Sequence, residues 1–177
     1  GINSISQMEL CENLGIDVIV TDYHRGEEIL PKTIIVDPNL RQCTYPYKDL
    51  TAVGVTFKLC QAISMYYEMK CIGNYLDLVA LGIISKGVDI SGENRIMVNQ
   101  GMYCINYTDN YGLKALLKIN GISNVNRESI YELSNRMTCS IKNKRYIDNA
   151  SIIVELFTTE SMDRAEQIAK YLKYEIV

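Results

Sequence analysis

Three consecutive residues, Asp22, Tyr23 and His24, carry the most chemistry in this sequence. They follow Ile16 to Val20, a short apolar run between polar residues that predicts a buried strand entered at Asp17. Such a strand delivers Asp22 and His24 at its C-terminal end, where ligand sites form in parallel α/β sheets. A carboxylate and an imidazole together suit a divalent metal that activates water against a phosphodiester. The same residues also suit a plain Asp turn with a surface histidine. His24 is the only histidine among 177 residues. A multi-histidine zinc site is therefore excluded, and so is any Ser-His or Cys-His pair that does not use His24.

The composition is that of a soluble globular chain, with 47% hydrophobic and 22% charged residues. The length suits one domain, or one and a fraction. A net charge of −3 argues against a strongly basic nucleic-acid module, although a local patch would suffice for contact. The candidates for such a patch are Arg136, Lys142, Lys144 and Arg145, with Tyr146 beside them to stack on a base. A solvated basic loop is the plainer reading of the polar stretch from Thr138 to Asp148. No pair of the six cysteines is spaced Cys-x-x-Cys, and Cys11, Cys60, Cys71 and Cys104 sit among apolar neighbours. That pattern predicts reduced, buried thiols in a cytoplasmic protein. No apolar run reaches the roughly 18 residues that would span a bilayer. Gly1 to Gln7 has neither the basic nor the apolar part of a signal peptide. A chain beginning with Gly suggests a cleavage product or a tag remnant.

The elements that must position these residues follow from periodicity. Ser4 to Leu14 predicts a helix, with Ser6 and Glu9 as a capping box and Gly15 after its end. Thr33 to Val36 is a second strand, closed by Asp37-Pro38. After Pro46 the text turns helical. Helices are predicted over 53–69 (stripe at 56, 59, 60, 63 and 67), 74–84 (buried all round) and 92–105 (Ile96, Met97 and Gly101 inward). Further helices are predicted over 113–119, 127–137, 149–157 and 161–174. Helix, strand, loop, strand in this order resembles part of a parallel α/β sheet. Two strands alone make a marginal sheet with open edges, so the sheet calls for more chain on its N-terminal side.

The segment ending in Thr21-Asp-Tyr-His24 resembles the Val-Thr-Asp-His-His motif of the DHH phosphoesterase superfamily. Further matching stretches are Gly15-Ile-Asp-Val-Ile-Val-Thr-Asp22, Ile35-Val-Asp-Pro38, Tyr45-Pro-Tyr-Lys-Asp-Leu50 and Val53-Gly-Val-Thr-Phe-Lys-Leu59. Leu76-Asp-Leu-Val-Ala-Leu-Gly82, Gly92-Glu-Asn-Arg95 and Ala150-Ser-Ile-Ile-Val-Glu-Leu156 continue the series. Their order and spacing are similar to those of the RecJ-type single-stranded-DNA exonucleases of that superfamily. The resemblance implies an α/β fold, the C-terminal part of a DHH-type parallel-sheet domain followed by a mainly helical region. It implies hydrolysis of single-stranded DNA from the 5′ end with Mn²⁺ or Mg²⁺, in a cage of aspartates and a DHH-motif histidine.

The departures bear on activity. The early aspartate-rich motif is absent, and Gly1-Ile2 matches the end of the second motif, just past its Asp. Asp22 and His24 remain as catalytic and metal-ligand candidates, but Tyr23 stands where the first histidine belongs. Lys86 stands where the fourth motif, usually Ala-Asp-Val-Val-Pro-Leu, has its metal-binding Asp. A neutral phenol and an ammonium are both poor metal ligands. The expected organisation is a partial DHH domain over 1–137 and connecting elements over 138–177. The expected function is that of a truncated or catalytically degenerate RecJ relative. The other readings are a non-catalytic binding module and a small-oligonucleotide phosphodiesterase. Single-stranded DNA is the expected partner, with a partner chain or upstream segment completing the sheet.

Overall fold

A computed structural model describes all residues except 71, 143–145 and 175–177, together with the side chains of 136, 138–142 and 146–149. The elements in order are α1 (Ile5–Asn13), β1 (Ile19–Thr21), β2 (Ile34–Val36), α2 (Ala52–Tyr66), a 3-10 turn (Ile72–Tyr75), α3 (Leu76–Lys86) and α4 (Gly92–Asn106). There follow α5 (Tyr111–Ile119), α6 (Arg127–Lys142), α7 (Tyr146–Thr158) and α8 (Met162–Tyr174). The chain divides into two compact units, residues 1–73 with 89–96, and residues 74–88 with 97–177.

The first unit holds the sheet. β1 and β2 are parallel, pairing Ile19 with Ile34, Val20 with Ile35 and Thr21 with Val36. Val20 is buried, whereas Ile19 and Ile34, opposite each other in register, are 62% and 65% exposed. The helix α1 buries no residue, and Leu10, Leu14 and Ile16 are also exposed. Parallel strands are ordinarily covered on both faces; this pair has one apolar face open. The N-cap of α1 is Ser4, not the predicted Ser6. Ser4 Oγ accepts from the Gly1 amino group (2.8 Å) and gives the helix no side-chain cap.

Beyond β2 the chain runs irregularly to α2, and side chains hold it in place. The Lys48 ammonium donates to the carbonyls of Pro38 (2.6 Å) and Cys43 (2.9 Å). The Tyr45 hydroxyl meets both Glu93 carboxylate oxygens (2.8 and 2.9 Å), and Lys58 pairs with the same carboxylate (2.9 Å). Thr51 caps α2 by accepting from the Gly54 N–H (3.3 Å). The buried positions of α2 are Gly54, Val55, Phe57 and Ser64. The stripe predicted at 56, 59, 60, 63 and 67 is therefore rotated from the true inner face. The helix carries apolar side chains on more than one face, so periodicity alone does not mark the side that packs.

The second unit is helical. α3 is buried along most of its length, as its composition predicts, and stops at Gly87, whose φ of 66° needs no Cβ. Buried Asp77 accepts from the Thr108 hydroxyl and from the Leu78 N–H (2.7 Å). Within this unit α4 buries Met97, Val98, Gly101 and Ile105. Ile96, predicted inward, is 56% exposed. α5 packs on α8 through Leu113 and Leu116 against the side that buries Ala165, Ile168, Ala169 and Leu172. Asn110 caps α5, accepting from the Leu113 N–H (3.0 Å) and donating to the Phe157 carbonyl (2.8 Å). α6 runs on to Lys142, past the predicted end at Met137. Nothing in Thr138 to Lys142 is Pro or Gly, so no breaker stops it there.

Cys11, Cys43, Cys60 and Cys104 are free thiols, each partly exposed; Cys11, Cys60 and Cys104 are thus not buried as their apolar neighbours suggest, and Cys71 and the Cys139 side chain lie outside the described residues. Among the described residues no helix is long and apolar enough to cross a membrane.

Candidate functional site

The two strands end in nearly the same words, Ile19-Val-Thr-Asp22 and Ile34-Ile-Val-Asp37. Because they pair in register, the two aspartates follow the last pair, Thr21 and Val36, at one end of the sheet. The Asp22 N–H donates to the Val36 carbonyl (3.1 Å), which holds this end closed.

Asp22 is ringed by donors. Its Oδ2 accepts from the Ile2 N–H (2.7 Å). Its Oδ1 accepts from the N–H groups of Tyr23 (2.7 Å) and His24 (3.2 Å) and faces His24 Nδ1 at 2.7 Å. Burial works against ionisation of this carboxyl. The Ile2, Tyr23 and His24 donors outweigh it and hold Asp22 well below the usual carboxylate range. The bond to Nδ1 orients the ring and leaves Nε2 of His24 as its outward atom. The Tyr23 ring lies against the His24 ring, with centroids 4.1 Å apart.

Asp37, which in the sequence closes the second strand and lies in the matching stretch Ile35-Val-Asp-Pro38, is a further member of this site. It is 4% exposed; its Oδ1 accepts from the Asn39 N–H (2.7 Å), and its Oδ2 has no hydrogen-bond partner. Burial pushes its carboxyl up, the Asn39 N–H pulls it down, and the negative charge of Asp22 adds to the upward push. The signal that could have found it is the matching ends of the two strands.

The structure thus brings Asp22, Tyr23 and His24 together and adds Asp37. Lys86 belongs to the other unit, where it closes α3. A lysine in the last turn of a helix is favoured by the helix dipole. Arg136 and Lys142 lie on α6, but their side chains fall outside the described residues. Lys144 and Arg145 fall outside them altogether.

The sequence model of the DHH family, N-terminal domain, matches residues 1–83. The single-stranded-DNA-specific exonuclease RecJ of Bacillus subtilis is 35% identical over 173 residues, covering 96% of this chain and 21% of that protein. RecJ of Haemophilus influenzae is 33% identical over 180 residues, 96% of this chain and 31% of that protein. In fold, the crystal structure of Thermus thermophilus RecJ with Mn²⁺ superposes with a TM-score of 0.83 at 26% identity, covering 98% of this chain and 26% of that one. The chain is a RecJ-like member of the DHH superfamily. It spans between a fifth and a third of the length of these two curated relatives.

RecJ structures have been solved with Mn²⁺ and with Mg²⁺, so divalent metal use belongs to the family. In this RecJ-like chain the donor set is thin. Among the described residues no three His, Cys, Asp or Glu side chains are grouped to hold a metal ion. Asp22 Oδ1 already meets the N–H groups of Tyr23 and His24 and the His24 ring, Oδ2 meets the Ile2 N–H, and the open oxygen of Asp37 is buried. By themselves these described residues do not fit a two-metal cage.

Asp37→Asn is expected to stabilise the chain by about 1 kcal/mol at pH 7. The amide keeps the acceptor for Asn39 and removes a buried charge beside Asp22. The sign follows from the raised carboxyl. Its contribution to stability is full below the unfolded value of 3.8 and is lost as pH rises through the folded value. Urea midpoints of the two proteins measured from pH 4 to 8 should diverge upward with pH. Parallel curves would show that Asp37 is not strained by its ionisation.

Proposed function

We propose that this chain is a catalytically degenerate RecJ-type module that holds single-stranded DNA and does not hydrolyse it alone. The observation that carries this reading is the self-satisfied Asp22, flanked by Tyr23 where the motif has a histidine. The printed activity of its relatives supports single-stranded DNA as the partner. Residues 1–137 are a partial DHH domain in this reading, and 138–177 are connecting elements toward a second, different domain. Arg136, Lys142, Lys144 and Arg145 are its phosphate contacts. The two-stranded sheet supports a further segment or partner chain extending it, the open face around Ile19 and Ile34 supports one covering it, and the reading places the protein in the cytoplasm.

Incubation with a 5′-labelled oligonucleotide in Mn²⁺ and in EDTA tests this. Binding that falls steeply with salt, is indifferent to Mn²⁺ and leaves the strand intact is expected. The double substitution Tyr23→His, Lys86→Asp should also leave it intact. Mn²⁺-dependent shortening of the strand by the unaltered chain would overturn the degenerate reading. Cleavage of a dinucleotide without affinity for long strands would point instead to a small-substrate phosphodiesterase.

A further inference from the structure

A cleft of about 500 Å³ opens where the chain leaves the two strands, between residues 25–30 and 39–42. It stands on the carboxyl side of a parallel pair, where α/β proteins bind their ligands, and its size is that of a small-molecule site. Asn39 joins it to the Asp22–His24 cluster by donating to the Tyr23 carbonyl at 2.9 Å. The first wall is built on a packed base. A Cβ on Gly26 would lie 2.7 Å from Leu30 Cδ2 and 3.0 Å from Cδ1 of Ile2, itself 1% exposed.

Two guanidiniums, Arg25 and Arg41, line this cleft, and two carboxylates, Glu27 and Glu28, line it with them. Among the described residues none of the four side chains forms an ion pair or a side-chain hydrogen bond. The four charged groups share one cleft, exposed to solvent and without pairing with one another, so all are available to a ligand. Leu30 and Leu40 supply apolar surface in the same cleft. A bare phosphate would satisfy the arginines and be repelled by the glutamates. A nucleotide satisfies both: phosphate oxygens for the arginine forks, exocyclic amines for the carboxylates, and a sugar and base face for the leucines.

We infer that this cleft binds one nucleotide of a single strand, with the phosphate at Arg25 and Arg41 and an amine-bearing base toward Glu27 and Glu28. The inference rests on the single-strand reading above and assigns it a subsite, separate from the basic candidates of α6. Cytosine, which carries an exocyclic amine, is preferred over thymine, which does not.

The test is an amide-resolved NMR titration of the 177-residue chain with deoxycytidine 5′-monophosphate, thymidine 5′-monophosphate and inorganic phosphate in parallel. Expected are shifts confined to residues 24–30 and 39–42, strongest with the cytidine nucleotide. Arg25→Ala and Arg41→Ala should each weaken its binding about five- to tenfold. Both side chains are exposed and unpaired, so thermal melts should match the unaltered chain. Fluorescence anisotropy with a labelled oligo-dC strand separates the two readings. Each arginine variant should lower its salt slope by about 0.7–1. If the unaltered chain binds no strand, the single-strand reading falls. If it binds the strand and both arginine variants bind equally well, the cleft assignment alone falls. Shifts elsewhere, or equal shifts from inorganic phosphate, would also overturn the assignment.

Discussion

Gly112→Ala is expected to destabilise the helical unit by about 3 kcal/mol, a large share of the stability of an ordinary domain. A Cβ at this position would sit on the backbone of α7, inside contact distance of the Leu156 carbonyl oxygen and 2.7 Å from its carbonyl carbon. A flexible side chain could swing aside, but a helix backbone cannot. Relief therefore requires α5 and α7 to separate, and that separation pulls Asn110 from the Phe157 carbonyl. It also opens the seam where Leu113 and Leu156 are fully buried. Gly73→Ala is the matched control, because nothing lies within 4 Å of a Cβ there. Circular-dichroism melts should show a large fall for the first variant and little change for the second. A Gly112→Ala protein melting with the unaltered chain would show that this helix contact is looser than described.

Asp22→Ala carries the second large effect, about 3 kcal/mol lost at pH 7. The substitution leaves three backbone N–H groups and the His24 ring without their acceptor. It frees the Ile2 segment from the end of β1. Hydrogen bonds to an ionised carboxylate are stronger than those to a neutral group, so Asp22→Asn should lose an intermediate amount. The lowered carboxyl sets the pH dependence. Its contribution is complete above the unfolded value of 3.8 and is lost as pH falls through and below it. Asp37 acts in the opposite sense. Below pH 4 the cost of the Asp22 substitution should therefore shrink, which guanidinium midpoints across pH 2.5 to 7 would reveal. A cost independent of pH would mean that the hydrogen bonds, and not the charge, make the contribution.

Much of this architecture was legible in the sequence because it depends on local signals. The two strands, the buried α3 and the inward Gly101 follow from composition over a few residues. What was not legible depends on which chain segment lies opposite. Val53, Val55, Phe57, Leu59 and Ile63 put apolar groups on more than one face of α2, so periodicity could not choose its inner face. Ile96 has an apolar side chain and an exposed position, and only the placement of neighbouring helices decides that. Asp37 escaped attention because its importance comes from register with Asp22, which no single motif contains. Tyr23 was visible as a departure from the family pattern; that Asp22 is ringed by donors of Ile2, Tyr23 and His24 was not.

The strand pair also has a kinetic meaning. Ile19 and Ile34 are only 15 residues apart in sequence. Parallel pairing ordinarily waits for a long crossover, and the entropy of closing that loop slows it. Here the loop is short and its closure comparatively cheap. The aspartates can therefore be brought to one end of the sheet by a local event, before the helical unit is complete. Pulse-labelling hydrogen exchange would then find the Asp22 amide, bonded to Val36, protected among the earliest in the chain.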